Sequence, residues 1–327
     1  MSQLTADLLL LLVTLAWGTT FVIVKETIAE MGPLTFIAVR FLIAGLVLLL
    51  WYVTTKMRGG GGAGRRGRTD VAAETLSAAS SDGACSTVFG ESSRGFSCEF
   101  LLGAVLTGFA LFFSYATQTL GLVTVAAGKA AFITGLYVVI VPVAARAFLK
   151  ASPDRASVAG VILATIGLGL LSLKLPLQVA PGDFLVFLCA IGFSAHILLV
   201  GHYSERGNTV LFAAIQLLVV SAGSFVYAAI MERPLVVPPT AWGAILFTAI
   251  AATSFAFLAQ TAVQRFTSAT HTALIFSAEP VFGAIFAWLV AGEVLAAREI
   301  VGAICILTGM LVSESGLFRR PHRQSAQ

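Results

Sequence analysis

The sequence predicts an all-α membrane protein with ten transmembrane helices, arranged as two inverted five-helix repeats. Three observations carry that prediction: an excess of apolar residues, its division into span-length runs, and an internal repeat. Of the 327 residues 58% are hydrophobic and 11% charged, with a mean hydropathy of +0.94. Soluble domains average roughly 45–50% apolar and about 25% charged residues. A water-soluble fold cannot hide so much apolar surface, so lipid must be the solvent for most of the chain.

Breaking the apolar runs at Pro, Gly and charge clusters gives spans at 4–24, 34–54, 100–120, 126–148, 157–174, 181–201, 209–230, 240–263, 270–291 and 297–317. Each approaches the roughly 20 helical residues needed to cross about 30 Å of hydrocarbon. The run from Leu8 to Val24 is read as a first span rather than a signal peptide, because no basic residue precedes it and Asp7 stands at its entrance. Most connections are short and force neighbouring spans to be antiparallel. The exception is 56–98, a Gly-, Ser- and Arg-rich insert with too little apolar surface to offset its chain entropy, expected to be a disordered cytoplasmic loop. The domain expectation is therefore a first repeat over 1–55 and 99–176, a second over 177–318, and a tail at 319–327. Cys85, Cys98, Cys189 and Cys305 show no CxxC or ligand spacing and are expected to be unpaired.

Lys and Arg set the orientation. With the N-terminus in the cytoplasm, that side carries fourteen of them and the other side only Lys25, Lys174, Arg233 and Arg298. The bias predicts that both termini are cytoplasmic, and the expected location is the plasma (inner) membrane. It also accounts for the net charge of +4 without nucleic acid as a partner.

Laid over each other, 100–172 and 242–314 align without a gap. Gln118-Thr119 falls on Gln260-Thr261, Gly160 on Gly302 and Gly167 on Gly309. Gly160 and Gly167 lie on one helix face, as do Gly302 and Gly309, which suits close helix packing. Because five spans is an odd number, the second repeat must enter the membrane in the opposite sense to the first. Inverted repeats allow two equivalent packings, each open to one side, with a site at the seam between them. That geometry is a carrier's.

Particular segments then carry a family resemblance. Ala16-Trp17-Gly18-Thr19-Thr20-Phe21-Val22-Ile23-Val24-Lys25 resembles the opening of the EamA family of the drug/metabolite transporter superfamily. Pro33 to Gly45 with Arg40-Phe41, and Gly128-Lys129-Ala130-Ala131-Phe132-Ile133-Thr134-Gly135-Leu136-Tyr137, are similar to its second and fourth helices. Glu279-Pro280, Gly292-Glu293 and Gly302 to Gly309 look like its ninth and tenth, and the 56–98 insert departs from the family's short loop. The resemblance implies an inverted five-plus-five fold and movement of small metabolites such as amino acids, sugars or organic cations.

Ionisable groups inside hydrocarbon cost several kcal/mol and usually face a cavity or a partner. Lys129 and its repeat mate His271 are candidates to face the cavity and bind an anionic group; the alternatives are a snorkelling lysine and an interfacial histidine. Glu279, followed by Pro280, is a candidate to take a proton or a substrate ammonium, or else to pair with Arg40 or Lys129. For Arg40 a structural role stands beside substrate binding. Trp17 next to Gly18 offers an aromatic face, and Tyr137, Gln118 and Gln260, like Tyr115 and Gln216, either line a solute path or join helices. His196 is expected to be a packed or hydrogen-bonded core residue, since Ser194 two positions away points elsewhere on the helix.

The expected function is a secondary carrier, an exporter of an amino acid or related amphipathic metabolite, and not an enzyme. No catalytic residue, cofactor or metal is expected. A membrane sensor or scaffold using the basic insert is the alternative, and an intramembrane enzyme is disfavoured because no HExxH, GxSxG or cluster of His and carboxylates occurs; the lack of GxxxxGK[ST] fits a secondary carrier. Expected partners are the solute, the lipid bilayer and, as one option, a second copy of the chain in a homodimer.

Overall fold

The computed structural model describes residues 3–60, 97–150, 153–173, 180–291 and 295–314. Among them every regular element is helical. Nine stretches are long and apolar enough to cross a membrane: α1 (Gln3–Glu30), α2 (Pro33–Met57), α3 (Cys98–Leu122), α4 (Ala127–Leu149), α5 (Arg155–Ser172), α6 (Gly182–Arg206), α7 (Thr209–Met231), α8 (Pro239–Val263) and α9 (Ala269–Phe286). A last helix, α10 (Ala297–Glu314), carries Arg298, Glu299 and Glu314, and the expected span 297–317 runs past the end of the described chain.

Capping side chains start several of these helices where the apolar runs begin. Ser97 Oγ accepts from Phe100 N, Asp154 Oδ1 from Ser157 N, Asn208 Oδ1 from Leu211 N and Ser268 Oγ from His271 N, at 2.7 to 3.1 Å. Within the helices, hydroxyls bond back to the preceding turn, as Thr107 does to Gly103 O and Ser194 to Ala190 O. Such bonds let polar side chains sit in an apolar helix with their donors satisfied. The insert is shorter than expected, because the α2 helix continues to Gly60 and α3 already begins at Cys98. Its remainder, with Cys85, lies outside the described residues, whereas Cys98, Cys189 and Cys305 are free thiols.

Three spans are interrupted. Helix α1 breaks at Thr19, α4 at Leu136 and α9 at Ser277 and Ala278. The α9 break precedes Glu279-Pro280: Pro280 has no N–H to continue the ladder back to Phe276 O, and it sits in the first turn of the segment that follows, where that donor is not needed. Helix α8 stays continuous but widens into a π-helical turn at Ile250–Phe255.

Helix α1 packs against α8 and α9, α6 against α3 and α4, α2 along α7, and α5 along α10. The α5–α10 contact is a very tight backbone approach. A Cβ added at Gly167 would lie 2.5 Å from Gly302 O, and one at Gly302 would lie 2.6 Å from Gly167 O. Gly160 and Gly309 face each other in the same reciprocal way. Because the obstructing atoms are backbone, Gly167→Leu must push the two helices apart. Overpacking of this kind costs about 1–3 kcal/mol, so the variant should melt several degrees lower in detergent; an unchanged midpoint would mean that this crossing does not hold the fold.

Candidate functional site

A cavity lined by α1, α2, α3, α4, α6, α8 and α9 opens within the bundle. Its walls are largely aromatic. The Trp17 ring centroid lies 4.8 Å from that of Phe276 and 5.4 Å from that of Phe257, while Tyr115 packs edge-on to Phe193 at 5.3 Å and to Phe41 at 4.8 Å. Offset and edge-on contacts of this kind add stability beyond area burial and fix ring orientation.

Arg40 and Glu279 both line this aromatic chamber. Arg40 is 2% exposed, and every described partner that holds it is neutral. Its Nε donates to Thr253 Oγ1 at 2.7 Å and Nη2 reaches Ala252 O at 3.4 Å, with the guanidinium carbon 5.5 Å from the ring centres of Phe41 and Tyr115. Both oxygens belong to the π-helical turn of α8. In a π-turn the i→i−4 ladder is displaced, so carbonyls become available to other donors. Ala252 O accepts from Trp17 Nε1 at 2.8 Å as well, and Thr253 Oγ1 and Ser254 Oγ donate to carbonyls five positions back, Thr248 O and Ala249 O. One widened turn therefore positions both Trp17 and Arg40.

Glu279 opens the second segment of α9 and lines the cavity with no hydrogen bond or ion pair to any described residue. Neither Arg40 nor Lys129 is its partner, so the ion-pair alternative raised by the sequence is not realised. Helix α1 comes very close here: a Cβ at Gly18 would stand 2.6 Å from Glu279 O, so only glycine permits the approach.

The uncharged candidates are tied into the walls. Gln118 Nε2 donates to Thr134 Oγ1 at 3.2 Å, and Gln260 Nε2 to Gln264 Oε1 at 2.8 Å, leaving Gln260 Oε1 enclosed without a partner. Tyr137 lines the cavity without a hydrogen bond to a described residue. His196 Nε2 meets Gln216 Oε1 at 2.8 Å while Ser194 bonds its own helix, so the two make no nucleophile and base. His196 also reaches the cavity wall, as do Thr20, Phe193 and Phe257, none of which the sequence singled out as site residues.

Lys129 and His271 do not line the cavity. Lys129 Nζ lies 2.5 Å from Asp183 Oδ2, joining the starts of α4 and α6. His271 Nε2 lies 2.9 Å from Asp7 Oδ1, joining the starts of α9 and α1. Each side chain found a carboxylate far away in sequence.

Comparison with known proteins agrees with this fold. A profile described as the EamA-like transporter family matches residues 4–73 and 180–314. The chain belongs to that family. An uncharacterized transporter of Archaeoglobus fulgidus is 30% identical over 310 residues, covering 95% of this chain and 86% of the relative. A solved crystal structure superimposes with a TM-score of 0.72 at 15% identity, covering 95% of this chain and 97% of that one, which speaks for the fold alone. This EamA-like protein is thus a multi-span membrane transporter.

Proposed function

We propose that this EamA-like protein is a secondary carrier that exports a small zwitterionic metabolite, an amino acid or close relative, by alternating access. The observation that carries the reading is a cavity holding a buried guanidinium whose described partners are all neutral and a Glu279 carboxyl with no partner among the described residues, between aromatic walls. A planar guanidinium suits a solute carboxylate and leaves donors free after binding Thr253. Glu279 suits the ammonium, and the rings of Trp17, Tyr115, Tyr137 and Phe257 suit an apolar side chain.

Alternating access rests on a ten-span architecture of two inverted halves, 1–55 with 99–176 and 177–318. Several features support that architecture. The packing follows a two-fold pattern: α1 on α8 and α9 matches α6 on α3 and α4, while α2–α7 and α5–α10 are self-paired. The breaks at Leu136 and Ala278 fall on each other in the register that lays 100–172 over 242–314. Glycines of that same register are reciprocal neighbours, Gly160 with Gly309 and Gly167 with Gly302. The charge bias supports a cytoplasmic location for both termini, in a protein of the plasma membrane on our reading.

The test is efflux from proteoliposomes preloaded with amino acids, alongside the decarboxylated amine and the deaminated acid of each. Downhill efflux of the zwitterion, faster than of either half-molecule and without ATP, is expected. In cells, overexpression should give resistance to toxic amino-acid analogues. Equal rates for the zwitterion and its decarboxylated amine would sink the assignment of Arg40 to the carboxylate.

A further inference from the structure

Two side-chain pairs outside the cavity, Asp7–His271 and Lys129–Asp183, are one arrangement repeated. Lys129 and His271 fall on each other in the register of the internal repeat. Asp7 lies in the second turn of α1 and Asp183 in the first turn of α6, the spans that open the two proposed halves. Exchanging the halves therefore turns the Asp183–Lys129 pair into the Asp7–His271 pair. Each pair joins a residue of one half to a residue of the other.

The pairs stand at opposite ends of the bundle. Helices α1 and α9 both start at the end that carries the N-terminus, as Asp7 and His271 meeting near their starts requires. Helices α4 and α6 both start at the other end, where Lys25 Nζ of α1 also reaches Val125 O at 2.5 Å. All four helices pass from their pair to the cavity, through Trp17 and Thr20, Phe276 and Glu279, Thr134 and Tyr137, and Phe193 and His196.

A second feature coincides with the first. Lys129 rides on a short segment, Ala127–Gly135, cut from the rest of its span at Leu136. His271 rides on Ala269–Phe276, cut from the rest of its span at Ser277 and Ala278. A break in the hydrogen-bond ladder lets a segment tilt without bending the remainder of the helix. The side chains of both pairs are 11% to 24% exposed, so water stands ready to replace either partner when a pair opens. A deeply buried pair would resist opening, because it would leave uncompensated charges behind.

We propose that Asp7–His271 and Lys129–Asp183 are the two gate latches of the carrier, each closing the cavity at one end by pinning a hinged segment of α9 or α4 to the other half. This rests on the alternating-access reading above. Opening one end then requires its latch to part while the other stays made, and breaking one latch shifts the population toward the state open at that end.

The test uses the full-length protein, with its four cysteines replaced by alanine and a reporter cysteine at Thr20, in vesicles whose sidedness is fixed by protease access to an N-terminal tag. A membrane-impermeant maleimide is added from either side. Asp7→Asn should raise labelling from the side of the N-terminus by about threefold or more and lower it from the other. Asp183→Asn and Lys129→Gln should do the reverse, each eluting as a monodisperse peak. The exchanged pairs, D7H with H271D and K129D with D183K, should return labelling toward the parent. Labelling from both sides that no variant alters, or single-variant effects that the exchanges do not reverse, would overturn the latches while leaving the carrier standing. Labelling from one side only in the parent and in every variant would instead overturn alternating access itself.

Discussion

Arg40→Met is expected to lower the apparent affinity for a zwitterionic solute by at least roughly thirtyfold while leaving the thermal midpoint unchanged or raising it. Truncating one partner of a buried charged contact costs about 2–5 kcal/mol of binding, and about 1.4 kcal/mol is a factor of ten. The fold has no matching stake in this charge. Every described group that holds Arg40 is neutral, and without Arg40 the Ala252 carbonyl still accepts from Trp17 Nε1 and Thr253 Oγ1 still donates to Thr248 O, so an apolar side chain of similar size strands no charge and no polar partner. Thr253→Val supplies the control, because it keeps the shape of the π-turn and removes the oxygen that accepts from Arg40 Nε. A loss of about tenfold in apparent affinity is expected, in line with one hydrogen bond to a charged group, and Thr253→Ser should restore it. A radiolabelled-uptake KM for each variant, beside a melting curve, separates the two effects. If Arg40→Met instead collapsed the midpoint and spared the KM of the surviving protein, Arg40 would be structural.

Nine of the ten expected spans could be read from the sequence because their signal is local: about twenty apolar residues make a crossing whatever surrounds them. Pro280 announced the break in α9 in the same local way, whereas the break at Leu136 carries no such mark and its only nearby proline, Pro142, lies inside the following helical segment. Trp17, Arg40, Gln118, Tyr137, Gln260 and Glu279 were legible as polar or amphipathic side chains at membrane depth, and all line the cavity. Lys129 and His271 met the same criterion and sit elsewhere. Depth shows that a charge needs a partner but not which partner, and theirs are 54 and 264 residues away. The π-turn was invisible for a related reason. Ile250–Phe255 reads as ordinary apolar helix, and what makes it a site is the arrival of Trp17 and Arg40 from distant parts of the chain.

Glu279→Gln tests the other pole of the cavity, and its effect should depend on the solute. The substitution keeps shape and removes charge, so a zwitterion should lose about 2–5 kcal/mol of binding, at least roughly thirtyfold in apparent affinity. The deaminated acid of the same side chain has no ammonium to lose and should bind as well as before or better, because a carboxylate no longer faces it. Arg40→Met should show the mirror pattern, sparing the decarboxylated amine. Stability should not fall with Glu279→Gln, since the carboxylate holds no described group in place. These patterns separate a recognition site from a general disturbance of the seam at Gly18, where α1 meets the backbone of Glu279. A disturbed seam would slow all three solutes alike. Equal losses for zwitterion and deaminated acid would therefore remove Glu279 from solute recognition, whereas opposite selectivity in the two variants would tie its carboxylate to the ammonium and Arg40 to the carboxylate.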